Sequence, residues 1–359
     1  MIRVGIIGCG GIAYVAHLAA YIGNKDAEVV ALCDINEAKF ARFEAKLGKK
    51  KTYTDFKEMI DNEKLDMVDI CTPNYLHADM AIYAMKKGLD VFCEKPDTIS
   101  VEKALEMQAV QKEEGRHLMV MRNNRYAYSS QQLKKMISDG GFGDVYAGRC
   151  GWIRRRGIPG KGGWFTTKAL SGGGPLIDLG VHMIDLAIYL MGNPKAVSVS
   201  GSTYNKFAAA DESQDSVHSS FGEAVEGGTC DVEDLAIGFI KFENGASLQI
   251  EFSWASNIEK EVNFVELRGS RLGAKWENGF YTLYDGKPVN KLKAALSKAN
   301  QAAHSKLIHK ENLLHFFDVV EGRAKPDFVM EQGVDMIKIL CAFYESAKTG
   351  REIILKNYL

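Results

Sequence analysis

No two cysteines in this chain form a C-x-x-C pair, and their number is odd: Cys9, Cys33, Cys71, Cys93, Cys150, Cys230 and Cys341. That spacing argues against a zinc ribbon, a dithiol redox centre and a disulfide scaffold. Cys33, Cys71 and Cys93 each close an apolar, strand-like run, where a thiol ordinarily serves as a small buried hydrophobe. A surplus of one charge is missing too. Lys plus Arg number 45 against 46 Asp plus Glu, a net charge of -1, so there is no basic field of the kind a nucleic-acid binder uses against phosphates. No stretch approaches the roughly 18 uninterrupted apolar residues of a membrane helix. Met1 runs straight into Ile2-Arg3-Val4-Gly5-Ile6-Ile7, without the charged and long apolar regions of a secretory signal. No His, Cys and carboxylate set shows metal-ligand spacing. The expectation is a cytoplasmic protein with a small-molecule partner, no nucleic acid, no membrane and no metal.

What is present supports a sizeable core. The 359 residues are 46% hydrophobic, enough at about 100 to 200 residues per domain for two domains or three. Strand-like runs at Arg3 to Ile7, Glu28 to Cys33, Met67 to Cys71, Asp90 to Cys93 and His117 to Met121 alternate with helical stretches. In Tyr75 to Lys87, Leu76, Met80 and Ala84 suit one helix face and Asp79 and Lys86 the other, and Gly88 stops it. Nearly continuous apolar strands separated by helices indicate a doubly wound α/β domain with a parallel sheet, over residues 1–122. The grammar then changes. Ser247 to Trp254 alternates polar and apolar side chains behind an Asn244-Gly245 turn, and Lys195 to Tyr204, Val262 to Arg268 and Phe280 to Tyr284 add strands. Residues 123–359 therefore read as an α+β domain with a mainly antiparallel sheet. Phe207 to Gly228 reads as a long loop, and Lys287 to Lys310 as a solvated amphipathic helix or, alternatively, an anion site.

Three constellations carry chemistry. Gly8-Cys9-Gly10-Gly11-Ile12-Ala13 directly follows the first strand and opens a helix, and Asp34 ends the second strand about 20 residues on, the arrangement that a dinucleotide requires. Gly8 permits the tight turn, Gly10 lets a pyrophosphate approach the backbone, and the helix terminus favours its charge. Asp34 accepts ribose hydroxyls and repels a 2′-phosphate, so NAD is preferred; Lys39 or Arg42 reaching round would admit NADP. Glu94-Lys95-Pro96 and Thr72-Pro73-Asn74 with His77 follow strands at the carboxyl edge of the sheet, where ligands of open α/β folds bind. By position alone Lys95 reads as a surface lysine; the next motif reverses that reading. Finally, Ser171-Gly172-Gly173-Gly174-Pro175 leads into an apolar helix whose polar exceptions, Asp178, His182, Asp185 and Tyr189, fall at i, i+4, i+7 and i+11. Unpaired buried carboxylates are costly, so this line faces partners, water or a ligand. An internally satisfied network is the competing reading for Asp185 and Tyr189; catalysis is preferred for Asp178 and His182.

Together, Gly8-x-Gly10-x-x-Ala13, Asp34, Glu94-Lys95-Pro96 and Gly172-Gly173-Gly174 followed by Asp178-x-x-x-His182 resemble the glucose-fructose oxidoreductase, inositol dehydrogenase and MocA (Gfo/Idh/MocA) family. The likeness extends to Tyr344-Glu345-Ser346-Ala347 and Gly350-Arg351. It implies a Rossmann domain followed by a domain built on a large open sheet, through which members form homodimers or homotetramers, and hydride transfer between NAD or NADP and a secondary alcohol of a sugar, sugar derivative or cyclitol. It places catalysis at Lys95, Asp178 and His182, with the proton accepted by Lys95 or His182. Gly8, Gly10, Gly11, Ile12, Ala13, Asp34, Thr72, Pro73, Asn74, His77, Glu94, Lys95 and Asn123 then lie along the cofactor. The segment Trp152 to Gly160 with Trp164-Phe165-Thr166 is similar to family members acting on glycosides and anhydrosugars. Guanidinium forks bind hydroxyls and a Trp face stacks on a sugar ring, so Arg125, Arg154 and Trp164 join Asp178 and His182 as substrate candidates; an exposed basic turn is the alternative for the arginines. Inositol dehydrogenation and NADPH-dependent keto-sugar reduction are the enzymatic alternatives. A nucleotide-sensing regulator without turnover is the non-enzymatic one, and it would need none of Lys95, Asp178 and His182.

Overall fold

The computed structural model describes residues 1–208, 221–286, 292–293 and 307–358. The chain divides into two compact units: residues 1–121 with 309–337, and residues 122–308 with 338–359.

In the first unit, β1 (Ile2–Ile7), β2 (Ala27–Cys33), β3 (Lys51–Tyr53), β4 (Met67–Ile70), β5 (Asp90–Cys93) and β6 (Leu118–Val120) form a sheet in the order β3-β2-β1-β4-β5-β6. Every pairing is parallel. This is the doubly wound dinucleotide-binding order, with its crevice at the carboxyl ends where the strand order reverses. β4 and β5 are buried along their whole length, which is why they read as unbroken apolar runs. The stretch expected as one helix from Tyr75 is a 3₁₀ turn, Asn74–Leu76, followed by the α-helix His77–Lys86; Gly88 just beyond has φ +82°. The helix Val101–Glu114 begins where Ser100 Oγ accepts the Lys103 N–H at 3.3 Å and ends on left-handed Gly115.

Residues 309–337 depart from a single division at residue 122, because they complete this first unit rather than the second. The cause is aromatic packing from the helix Ile308–Val320. Phe316 lies 5.4 Å from Phe92 of β5, and Phe317 lies 5.8 Å from Tyr21, ring centre to ring centre.

Among the described residues the second unit holds nine strands: β7 (Val145–Ile153), β8 (Ala196–Tyr204), β9 (Leu235–Phe242), β10 (Ser247–Ser253), β11 (Val262–Gly269), β12 (Gly273–Glu277), β13 (Phe280–Tyr284), β14 (Leu292–Lys293) and β15 (Ile353–Ile354). Their order is β14-β13-β12-β11-β7-β10-β9-β8-β15, antiparallel except where β10 runs parallel to β7. β9 and β10 join through the expected Asn244-Gly245 turn, with Gly245 at φ +82°. The helix Val181–Leu190 packs on β7 and β11. Gly180 lets this segment approach β10, since a Cβ there would sit 3.1 Å from the Phe252 ring. The helical stretch Lys168–Leu190 is long and apolar enough to cross a bilayer, but 78% of its apolar window is buried inside the protein, as suits a core helix. Of the loop expected over 207–228, residues 209–220 lie outside the described residues. Of the helix expected over 287–310, residues 287–291 and 294–306 also lie outside them, Leu292–Lys293 form a strand, and Ile308 opens the next helix.

Candidate functional site

The Gly-rich turn of the first unit is built around Gly8. At φ +93° it occupies a conformation that side chains resist, and a Cβ would lie 2.6 Å from the Cys71 carbonyl oxygen. Gly8→Ala is therefore expected to cost at least about 2 kcal/mol in stability and to weaken NAD binding at least tenfold, read by urea unfolding and nucleotide titration. Wild-type values in both would show that the turn tolerates the methyl group.

Beyond Gly8 the loop is open: a Cβ on Gly10 or Gly11 would meet nothing within 4 Å. A helical segment starts at once, with the Tyr14 N–H on the Gly10 carbonyl at 3.2 Å and buried Ala13 pressed inward. The Asp34 carboxylate accepts the Cys9 N–H at 2.8 Å and the Asn36 N–H at 2.8 Å, with Lys39 Nζ at 3.6 Å. Arg42 donates to the Cys9 carbonyl and lies 5.0 Å over the Tyr14 ring, which commits it to bracing the loop. Open space over glycines at a helix terminus, bordered by a carboxylate at the end of β2, fits an adenine dinucleotide with free ribose hydroxyls.

Behind this loop lies a network that sequence reading missed. His17 is fully buried; its Nδ1 lies 3.0 Å from both oxygens of Asp69, and its Nε2 lies 2.8 Å from Glu94 Oε1. The Tyr21 hydroxyl donates to Asp69 at 2.8 Å, and Glu94 Oε2 accepts the Lys95 N–H at 3.0 Å. Burial alone would push the His17 imidazole down, but the Asp69 carboxylate outweighs it and holds the ring well above its ordinary range. Burial would likewise raise Glu94, yet the hydrogen bond and charge of His17, aided by Lys95, hold it far below the usual carboxylate range. His17, Asp69 and Cys71 place three metal-capable atoms within 4.8 Å of one another. Burial and Asp69 push the Cys71 thiol strongly up, so it is the protonated form that sits there. The signal for this network was Asp69 itself, a lone carboxylate in an apolar strand that had to have a partner.

His77 braces the two neighbouring loops. Its ring lies between the Pro96 carbonyl at 2.7 Å from Nδ1 and the Thr72 carbonyl at 2.8 Å from Nε2. Burial pushes the imidazole down, and a neutral ring can donate to only one of the two. His77 and Glu94 thus shape the crevice from within, while Thr72, Pro73 and Lys95 are half-exposed at its rim and Asn74 is buried. His309, on the returning segment, faces Glu94, His17 and Lys95, and burial takes it from an ordinary 6.5 down to about 4. It stays neutral in the fold while the unfolded chain takes up a proton below 6.5. Stability should therefore fall by on the order of 2 kcal/mol as pH drops from about 6.5 to 4. Denaturant unfolding of His309→Asn across that window should show a shallower fall than the wild type, and an identical slope would refute the assignment.

In the second unit, the Gly-rich stretch before the polar stripe is clamped by a buried glutamate. Glu233 accepts the Gly174 N–H at 3.0 Å, the Leu176 N–H at 3.2 Å and the Tyr344 hydroxyl at 2.8 Å. Burial nevertheless raises its carboxyl. A Cβ on Gly173 would lie 2.0 Å from the Tyr344 oxygen, so glycine is needed for this close approach. The chain then makes a π-helical turn, Leu176–Gly180, and continues as the helix Val181–Leu190. From Gly173 to Ala187 every residue is buried except Asp178 and His182.

The stripe thus divides. Asp178 accepts the indole N–H of buried Trp254 at 3.0 Å, and His182 lies against Trp152, with ring centres 6.0 Å apart. Arg154 sits over the same Trp152 ring at 5.3 Å. Its guanidinium is lowered by burial against the opposing charges of Asp178 and Glu261, and its Nε is buried without a hydrogen-bond partner among the described residues. Asp185 turns the other way, into an ion-pair network. It receives Arg125 Nε at 2.8 Å and Nη2 at 2.6 Å, with Arg122 Nε at 3.1 Å. Tyr189 continues this side, 4.9 Å from the Arg125 guanidinium. Arg125 is only 1% exposed, which suits an internal anchor for the helix rather than the substrate contact expected of it. Asn123 is buried beside it in sequence, and Trp164 is half-exposed and stacked on Phe165 at 3.8 Å.

Comparison with known proteins agrees with both units. Residues 2–122 match the model of an oxidoreductase family with an NAD-binding Rossmann fold, and residues 130–274 match the GFO/IDH/MocA C-terminal domain. The D-glucoside 3-dehydrogenase of Escherichia coli K12 is 33% identical over 99% of this chain and 97% of its own length. The levoglucosan dehydrogenase of Pseudarthrobacter phenanthrenivorans is 29% identical over 75% of this chain and 72% of its own. Among solved structures, levoglucosan dehydrogenase in complex with NADH and levoglucosan superposes with a TM-score of 0.82 at 21% identity, covering 99% of this chain and 100% of that one, a likeness of fold.

Proposed function

The chain belongs to the Gfo/Idh/MocA oxidoreductase family, and on that premise we propose that it oxidises a ring secondary hydroxyl of a glycoside or anhydrosugar, using Lys95, Asp178 and His182. The observation that carries this reading is that Asp178 and His182 alone are accessible in the buried run from Gly173 to Ala187, each against a tryptophan. Bound NAD supplies the hydride acceptor. Lys95 donates a hydrogen bond to the reacting oxygen and stabilises the negative charge that grows there as the C–H bond breaks. His182 accepts the hydroxyl proton on a ring nitrogen as general base. Asp178, oriented by the Trp254 N–H, receives a neighbouring sugar hydroxyl, and the Arg154 and Trp152 pair offers hydrogen bonds beside an aromatic face. Trp164 keeps its place as a second stacking candidate.

The likeness to D-glucoside 3-dehydrogenase makes the 3-hydroxyl the first position to examine. The test is a panel of methyl glycosides, anhydrosugars, free aldoses and inositols, each with NAD and with NADP, followed by NMR assignment of the keto carbon. Turnover of glycosides with NAD is expected. Turnover confined to inositols, or to keto sugars with NADPH, would replace this reading with one of those activities. NAD binding without turnover of any polyol would favour a nucleotide sensor.

The cytoplasm is the compartment we assign, because all seven cysteines are free thiols. Self-association through the large sheet belongs to the same proposal: β9 turns Ile237 and Phe239 outward, 37% and 40% exposed, on the face opposite its buried residues. Light scattering that gives a monomer mass would sink it.

A further inference from the structure

We propose that His17 is a positioning residue for the reaction, fixing the Glu94 carboxylate and through it the backbone that presents Lys95. The proposal rests on the reading of Lys95 given above. Three segments distant in sequence meet at one imidazole. His17 follows the Gly-rich turn on its helical segment, Asp69 lies inside β4, and Glu94 directly follows β5.

The contacts form a chain with a direction. Asp69, held by the Tyr21 hydroxyl at 2.8 Å, engages Nδ1; Nε2 engages Glu94 Oε1 at 2.8 Å; and Glu94 Oε2 takes the Lys95 N–H at 3.0 Å. Both carboxylates address the same ring, so the ring is a cation that donates on both sides. Its orientation is further set by the Phe92 ring, 5.9 Å away edge-on. A neutral ring would donate to only one of the two carboxylates and turn a lone pair on the other, so the arrangement favours the doubly donating cation. The consequence is a Glu94 carboxylate held in one rotamer, with one oxygen facing inward and the other facing the Lys95 peptide. A shift of about 1 Å in a group addressing the reacting oxygen is enough to cost on the order of 100-fold in rate. Lys95 is thereby tied to the same element that follows the cofactor loop, although the lysine and the loop share no sequence motif.

The experiment compares His17→Gln, Glu94→Gln, the double variant and Lys95→Ala in the full-length protein. Steady-state turnover is measured with the best glycoside of the panel, and dissociation constants are measured for NAD. Expected for His17→Gln is a 10- to 100-fold fall in kcat, with KM for the glycoside and Kd for NAD each within about threefold of wild type. Glu94→Gln should lose kcat similarly, and the double variant should lose no more than the worse single one, because both break one linkage. A His17→Gln protein with lowered thermal stability but unchanged kcat would assign the network to folding alone and overturn the proposal. Stoichiometric zinc in the purified wild type would overturn it as well, since Nδ1 would then be a ligand. If Lys95→Ala keeps its turnover, it is the mechanism above that fails; if Lys95→Ala is inactive while His17→Gln is not, only the positioning role fails.

Discussion

Lys95→Ala is expected to lower kcat by about 1,000-fold while leaving NAD affinity within about threefold, the size of effect seen when one donor to a developing oxyanion is removed. The two quantities separate because nucleotide recognition belongs to other residues, the open turn at Gly8 to Ala13 and the Asp34 carboxylate. Lys95 follows β5 at the carboxyl edge of the sheet, half-exposed, with its peptide N–H already committed to Glu94. Lys95→Arg should recover little, because a planar fork does not replace a compact ammonium. Steady-state kinetics with fluorescence titration of the nucleotide decide the matter. Turnover within tenfold of wild type would remove the lysine from the chemistry and leave proton transfer and charge stabilisation to His182.

The second large effect concerns stability. Asp185→Ala should cost roughly 3 to 5 kcal/mol, the usual loss when a buried ion pair is deprived of one partner. The residues concerned are 5% exposed for Asp185, 3% for Arg122 and 1% for Arg125, so two guanidinium groups would be left inside the protein short of their counter-charge. Asp185 lies one turn beyond His182 on the same helix, and its pairing holds that helix to the segment that begins the second unit. Asp185→Asn should recover part of the loss by keeping hydrogen-bond acceptance without the charge. Urea unfolding checks both variants. A change below about 1 kcal/mol for Asp185→Ala would mean that water replaces the carboxylate at little cost.

Legibility in the sequence followed the physics of each element. Buried parallel strands such as β4 and β5 announce themselves as apolar runs, and their ends were found within a residue. β3, three residues long with two exposed, gives no such pattern. β7 escaped notice although it lies in the middle of its sheet, because Gly148 and Gly151 interrupt its alternation. Those glycines are there for close packing: a Cβ on Gly151 would fall 2.7 Å from the Glu251 carbonyl. At the site, the spacing of Asp178, His182, Asp185 and Tyr189 exposed the stripe, but not its division, because helical periodicity says which residues align and not which find arginines. Arg125 was legible only as a cation. The His17 network showed in the sequence only as Asp69, a carboxylate in need of a partner; which partner was hidden, because His17 lies 52 residues from Asp69 and 77 from Glu94, and no local pattern connects them.

The helix that brings Phe316 and Phe317 to Phe92 and Tyr21 has a consequence for biosynthesis. The first 121 residues leave the ribosome with every strand of their sheet made, yet with an aromatic face uncovered until the stretch from His309 arrives. At about 5 to 20 residues per second, the roughly 200 intervening residues keep that face waiting for some 10 to 40 s. The second unit has most of its own chain by then, so the nucleotide-binding half is the first begun and among the last completed, and nascent chains stalled before residue 309 should be the form that chaperones hold.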